Sequence, residues 1–373
     1  MLRDPLGLAD PIFVPEPLLP ILARCDGTRT VKDLEIAVRA ANPGLPSDFV
    51  TRLVSDLDAA GMLESQALQA RFQAELARFS AGGVRQARHA GSAGYPRTTA
   101  ALGEALQRIV PRPQNRSGTC PRGLIAPHID LMRGSAGYAK AYGHLHAREP
   151  ADLYVVFGTG HKGPSAPLTG LMLDWQTPLG TVTSDREFLA RVQSRIGTPS
   201  DRDVLLHKDE HSIEFQVLML QWIHGEHPFQ VAGFLTGALP TAGADPAEEQ
   251  YVREIIAAFR AAEAESSQRI CYVAGADLAH LGPHFGDRAP VADDLLRALE
   301  ARERERLALL ESGEPGKFFA SVECGGNQDR ICGTAPIFLT AALAGGRAEL
   351  LHYGQAAAPD GSQVVSFCAA SYG

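Results

Sequence analysis

Leu153-Tyr154-Val155-Val156-Phe157-Gly158-Thr159-Gly160-His161-Lys162-Gly163 decides how this chain is read. Five consecutive apolar residues, four of them β-branched or aromatic, describe a strand buried on both faces. The run ends in a glycine-rich loop that carries a histidine. In an open α/β sheet, such a loop lies at the carboxyl edge of the strands, where ligands bind. Three further apolar runs repeat the pattern: Gly123-Leu124-Ile125-Ala126 before Pro127-His128, Phe229 to Phe234, and Ile270 to Ala274 before Asp277-Leu278-Ala279-His280.

Helical patterns alternate with these strands, at Ala136 to Leu145, Asp185 to Ile196, Ser212 to Ile223, Ala247 to Ala262, Ala289 to Leu310 and Ala335 to Leu343. A hairpin pattern surrounds Trp175-Gln176-Thr177-Pro178-Leu179, and Ala348 to Tyr353 with Gln363 to Ala369 reads as a second antiparallel pair. The expectation is a three-layer α/β/α sandwich with a mixed central sheet. Residues 1–80 read separately, as a small helical, winged-helix-like module with helical spacing at Val31 to Val38, Phe49 to Leu57 and Leu68 to Phe79. Residues 81–99, rich in Gly, Ala and Arg, read as a linker, and 100–373 as the main domain.

Composition narrows the function classes. Of 373 residues, 45% are hydrophobic and 21% charged, as in an ordinary globule, and the net charge of -8 argues against nucleic acid as a partner. No apolar run is long enough to span a bilayer, and the start of the chain lacks the basic-then-apolar pattern of a signal peptide. Six scattered cysteines suggest neither a zinc ribbon nor a disulfide scaffold. A cytoplasmic protein with reduced thiols is expected.

His128, His161 and Cys332 stand in tight Gly/Pro loop contexts and suit a divalent transition metal, which accepts neutral imidazole and thiolate. His211, after Asp209-Glu210, and His280, after Asp277, each have a carboxylate nearby to orient the ring and act as general acid or base. The alternative for Asp277 is a cap of a turn, and for Glu214 a role in fixing the turn after His211. Neither a nucleophile elbow, a phosphate loop nor a dinucleotide fingerprint is present.

Taken in order, Pro127-His128, Gly158 to His161, Trp175 to Gly180, Glu210-His211-Ser212-Ile213-Glu214-Phe215-Gln216, Asp277 to His280 and Cys332-Gly333-Thr334-Ala335-Pro336-Ile337 resemble the Memo-like family over roughly residues 120–373. The resemblance implies a fold like that of the class III extradiol dioxygenases and a non-haem metal pocket, and a thiolate among the ligands points to iron or copper as the metal. The resemblance implies His128, His161 and Cys332 as metal ligands, with His211, His280 and Asp277 as catalytic pocket residues. It also implies a small-molecule ligand in that pocket, and a pathway shared with a radical-SAM protein. Ile129-Asp130-Leu131 and Gly275-Ala276 depart from the family's usual residues at these places, which puts the substrate in doubt. Residues 13–65 resemble PqqD-like peptide-recognition domains, which implies a peptide or pathway-protein partner. Three activities follow as expectations: a metal-dependent redox enzyme, a peptide or phosphopeptide binder without turnover, and an extradiol-type dioxygenase.

Overall fold

The computed structural model describes residues 1–91, 94–111, 116–241 and 245–373. The chain divides into two compact units, Met1–Ala81 and Gly82–Gly373.

The smaller unit is built on the helices Val31–Ala41, Phe49–Ala59 and Gln66–Ser80. Thr30 opens the first with a capping box: its hydroxyl accepts the Asp33 N–H while the Asp33 carboxylate accepts the Thr30 N–H. Ile21, Leu34, Val38 and Val50 form its core. The expected helices are therefore present. A wing hairpin is not, since the described residues of this unit make only a single Leu2–Ile12 bridge.

The larger unit contains the strands β1 (Val84–Arg85), β2 (Gly123–Ala126), β3 (Leu153–Thr159), β4 (Leu168–Gly170), β5 (Asp174–Thr177), β6 (Gly180–Val182), β7 (Gln230–Thr236), β8 (Ile270–Gly275), β9 (His280–Leu281), β10 (Ala348–Ala357) and β11 (Val364–Tyr372). The main sheet runs β10-β11-β2-β8-β3-β7-β4, with β9 against β11. Its centre, β2-β8-β3-β7, is parallel, and β4, β10 and β11 are antiparallel. The mixed sandwich expected from the sequence is what forms.

Alternation along β3 shows the two faces. Leu153, Val155 and Phe157 pack with Phe259 and Phe338 of the helices Gln250–Ala264 and Thr334–Ala344, whereas Tyr154 meets His224 of Glu214–His224. These residues are almost wholly buried, and each large apolar side chain taken out of water contributes roughly 1.5–3 kcal/mol.

Two local readings need correction. The hairpin around Trp175 is tighter than its sequence suggests, because Trp175 itself lies in β5 and pairs with Val182. The 81–99 stretch is no linker in its described part. β1 pairs in parallel with β5, Arg85 is fully buried, and Tyr95 is buried too. The reason is electrostatic: the buried Glu214 carboxylate is paired with the Arg85 guanidinium, and it also accepts the Tyr95 hydroxyl and the N–H groups of Arg88 and His89.

Candidate metal centre

β2, β8 and β3 are parallel neighbours, so the loops that leave their carboxyl ends emerge side by side. They carry His128, Asp277 and His161. Gly158 and Gly275 face each other across β3 and β8, and a Cβ on either would come within 2.5 Å of Ser212, at its Oγ or its carbonyl oxygen. Their bare backbone lets the turn at Ser212 lie directly on the sheet, which brings His211 to the same point.

His128, His161 and His211 each offer a donor nitrogen, and these atoms all lie within 4.8 Å of one another. The His161 and His211 rings stack with centroids 4.9 Å apart, and His128 meets both edge-on at 5.0 and 5.2 Å. In each ring the Nδ1 side is already engaged. His128 Nδ1 donates to the Gly275 carbonyl at 2.8 Å, and Glu210 faces Nδ1 of both His161, at 3.0 Å, and His211, at 3.2 Å. Nε2 is then the nitrogen each ring can turn to a metal, and this fixing of the other nitrogen is how metal-binding histidines are held. Glu210 itself is locked by the N–H groups of His161, His211 and Ser212. The donor set fits a transition metal ion.

Cys332 joins from the loop before the helix Thr334–Ala344, its Sγ 3.3 Å from His128 Nε2. Gly333 allows this approach, since a Cβ there would collide with the Asp277 carbonyl. Burial raises the Cys332 thiol pKa, and the neighbouring His161 opposes that rise. At His161 burial disfavours the charged form, but hydrogen bonds to Cys332 and Glu210 outweigh it and lift the pKa to about 11. The surroundings of His161 thus favour positive charge at this point. The His161 and His211 side chains remain 34% and 30% exposed, whereas His128 is buried.

The pocket residues expected beside the metal separate into two situations. Asp277 accepts the His128 N–H at 2.9 Å and lies 3.6 Å from its Nε2; burial pushes its carboxyl up to about 6, against the pull of the His128 and Ile129 N–H groups. His280 stands outside the three-histidine set, its Nδ1 near the carbonyls of Leu278 and Arg330 and its ring against Phe285. It is near enough to His161 for their charges to oppose each other. His211, read from the sequence as an acid or base, converges with the ligand histidines instead. Glu210 was legible as the partner of His211 but not of His161, because nothing in spacing announces that one carboxylate serves two rings 50 residues apart.

Glu210→Gln is expected to weaken metal binding by roughly 10–100-fold while leaving the fold intact, since it removes the shared acceptor but no ligand. Competition against a chromophoric chelator measures this. An unchanged affinity would mean that Glu210 does not orient the two rings.

A family model described as Memo-like protein matches residues 85–371. A MEMO1 family protein of Aquifex aeolicus is 28% identical over 334 residues, covering 89% of this chain and 84% of its own. That coverage exceeds the larger unit, so the likeness extends into the smaller one. Relatives from Methanococcoides burtonii, 30% identical over 65% of this chain and 83% of their own, and from Pyrococcus furiosus, 28% identical over 61% and 78%, are also MEMO1 family proteins. With the family match running from β1 to β11, the chain belongs to the Memo-like family.

Proposed function

We propose that this protein is a metal-dependent redox enzyme that acts on a small molecule or peptide, with iron or copper held by His128, His161 and Cys332 and by His211 as a further donor. The observation that carries this reading is the thiol of Cys332 at 3.3 Å from His128 Nε2, beside the three convergent imidazoles. Such a mixed nitrogen and sulfur set suits a metal that changes oxidation state, and the bound ion would supply one-electron chemistry at an open position. A thiolate where those dioxygenases have a carboxylate beside two histidines counts against simple catechol cleavage of the extradiol type.

The chain's own groups have separable tasks. Glu210 keeps His161 and His211 in the tautomer that presents Nε2. Asp277 fixes the His128 backbone, and its second oxygen is placed to hold a proton beside that ring. The exposed flanks of His161 and His211 leave room for the reacting molecule. The smaller unit, with Phe13 and Ile36 exposed, is assigned to capture of a peptide or of a radical-SAM pathway protein. That same pair of exposed apolar side chains favours, as a second reading, a peptide-binding protein without turnover. No helix of the described residues is long and apolar enough to cross a membrane, and a cytoplasmic place is part of the proposal.

Elemental analysis of protein purified anaerobically without chelator, parent beside Cys332→Ser, tests the redox reading. Near-stoichiometric iron or copper in the parent, with clear loss or a changed metal preference in the variant, is the expected result. Parent protein free of both metals would sink it and leave the peptide-binding reading.

A further inference from the structure

Among the described residues, Asn327 and Arg330 are the non-glycine residues with positive φ, at 48° and 54°, and both stand in the loop that delivers Cys332. Left-handed backbone is uncommon outside glycine, and asparagine adopts it more readily than most residues. The Asn327 N–H reaches back to the Val322 carbonyl at 3.2 Å, just after the helix Pro315–Glu323, and the Arg330 N–H reaches the Asn327 carbonyl at 2.8 Å. The loop therefore turns sharply at both positions before it enters the metal centre.

The half-buried Asn327 side chain closes these turns on Ile331. Its Oδ1 accepts the Ile331 N–H at 2.7 Å, and its Nδ2 donates to the Ile331 carbonyl at 2.9 Å. These two groups belong to successive peptide planes, each of them rigid, so the clasp fixes both backbone angles of the residue before Cys332. The second plane carries the Cys332 N–H, and its rotation would swing the thiol away from His128. Thr334 Oγ1 shares the Ile331 carbonyl at 3.2 Å, whereas the Ile331 N–H is held by Asn327. Ile331 is buried, so an N–H that lost this acceptor would be costly to leave in place. On its other side Cys332 is tied to the sheet edge, its carbonyl by Thr159 Oγ1 at 3.1 Å and the next N–H, that of Gly333, by the Asp277 carbonyl at 3.1 Å. Asn327 supplies the matching tie on the near side.

We propose that Asn327 is a positioning residue for the metal centre, and that its clasp on Ile331 sets the reach of the Cys332 thiol. The proposal rests on the reading of Cys332 as a metal donor, and it names the residue that places that donor. Asparagine meets both demands of the position, since it presents a donor and an acceptor together and tolerates left-handed backbone. Aspartate would keep only the acceptor, and glycine only the backbone freedom.

Two measurements on the full chain test this. In the cobalt(II)-loaded protein a thiolate donor gives a near-ultraviolet sulfur-to-metal charge-transfer band, which Cys332→Ser removes. Asn327→Gly keeps the left-handed backbone without the clasp, and is expected to hold cobalt through the imidazoles with the band weakened roughly twofold or more per bound ion. Asn327→Asp, which retains the acceptor for the Ile331 N–H, is expected to fall between parent and glycine variant. In the metal-free protein, alkylation of Cys332 by iodoacetamide, followed by peptide mass, is expected to be roughly tenfold faster in Asn327→Gly, the effect of a lost buried hydrogen bond on local opening. The buried Cys271 and Cys368 stay protected, which checks the fold, and if they do not, Asn327→Asp takes the glycine variant's place in both measurements. Where the parent shows the band, the band decides, and parental strength per bound cobalt in the variant would overturn the proposal. A parent that takes up no cobalt, or takes it up without the band, would end the reading of Cys332 as a donor. The alkylation rate then decides alone: a faster rate retains Asn327 as the residue that places the thiol, and an unchanged rate overturns it.

Discussion

Replacing His128 with alanine is expected to abolish stoichiometric metal binding, with a loss beyond the roughly 10–100-fold expected from disturbing an orienting group such as Glu210. His128 is the ring that meets both other histidines edge-on and also faces the Cys332 thiol, so it is common to every ligand set the geometry permits. It is also the buried member of the three. Metal analysis after equilibration with excess iron or copper, together with urea unfolding of the metal-free form, distinguishes a lost ligand from a lost fold. Retention of the parent's affinity would show that the metal does not sit where the three imidazoles meet.

The largest effect on stability is expected at Arg85. Arg85→Met should destabilise the larger unit by about 3–5 kcal/mol, the usual consequence of removing one partner from a buried ion pair. Both side chains of the Arg85–Glu214 pair are fully buried. The guanidinium also donates to the carbonyls of His207, at 3.1 Å, and Glu210, at 2.7 Å, and lies over the Trp175 ring. Methionine replaces the stem but none of these donors. Urea denaturation measures the loss, and a change within about 0.5 kcal/mol, as for an ordinary surface substitution, would contradict the assignment.

Acid adds a second readout for the same variant. Burial raises the Glu214 pKa, but the Arg85 charge, followed by the Tyr95 hydroxyl, outweighs it and holds the carboxyl below its ordinary range. A carboxylate depressed in the folded state contributes stability fully above its unfolded pKa of about 4.3 and loses it as pH falls through the lower folded value. Without Arg85 the folded pKa rises, so acid unfolding followed by circular dichroism should begin at higher pH than in the parent.

Much of the architecture was legible because each central strand is a short apolar run closed by glycine or proline. Gly123 to Ala126, Leu153 to Phe157 and Ile270 to Ala274 all fall within parallel strands, and the loops after them carry His128, His161 and Asp277 as expected. What the sequence concealed are contacts between distant residues. Arg85 sits in a stretch of Gly, Ala and Arg whose composition matches a linker, and only its pairing with Glu214, 129 positions away, makes it part of the core. His211 follows no strand. Its place among the ligands depends on Ser212 resting against two glycines of other segments, which no periodicity reports. For Cys332, by contrast, the Ile331-Cys332-Gly333 context was informative, because the glycine is what permits the close approach to Asp277.

The same two glycines have a consequence for how this centre can change. Gly158 and Gly275 touch no metal donor through side chains, yet they set the clearance between the sheet and the turn that delivers His211. Ligand identity and ligand reach are therefore written in different parts of the chain. A drift in the loops can alter which atoms coordinate, but a methyl group added to either strand would lift a whole arm of the centre without altering any coordinating atom. Repair of such a lesion would have to come from the strand itself, since no new donor on the turn restores the lost depth.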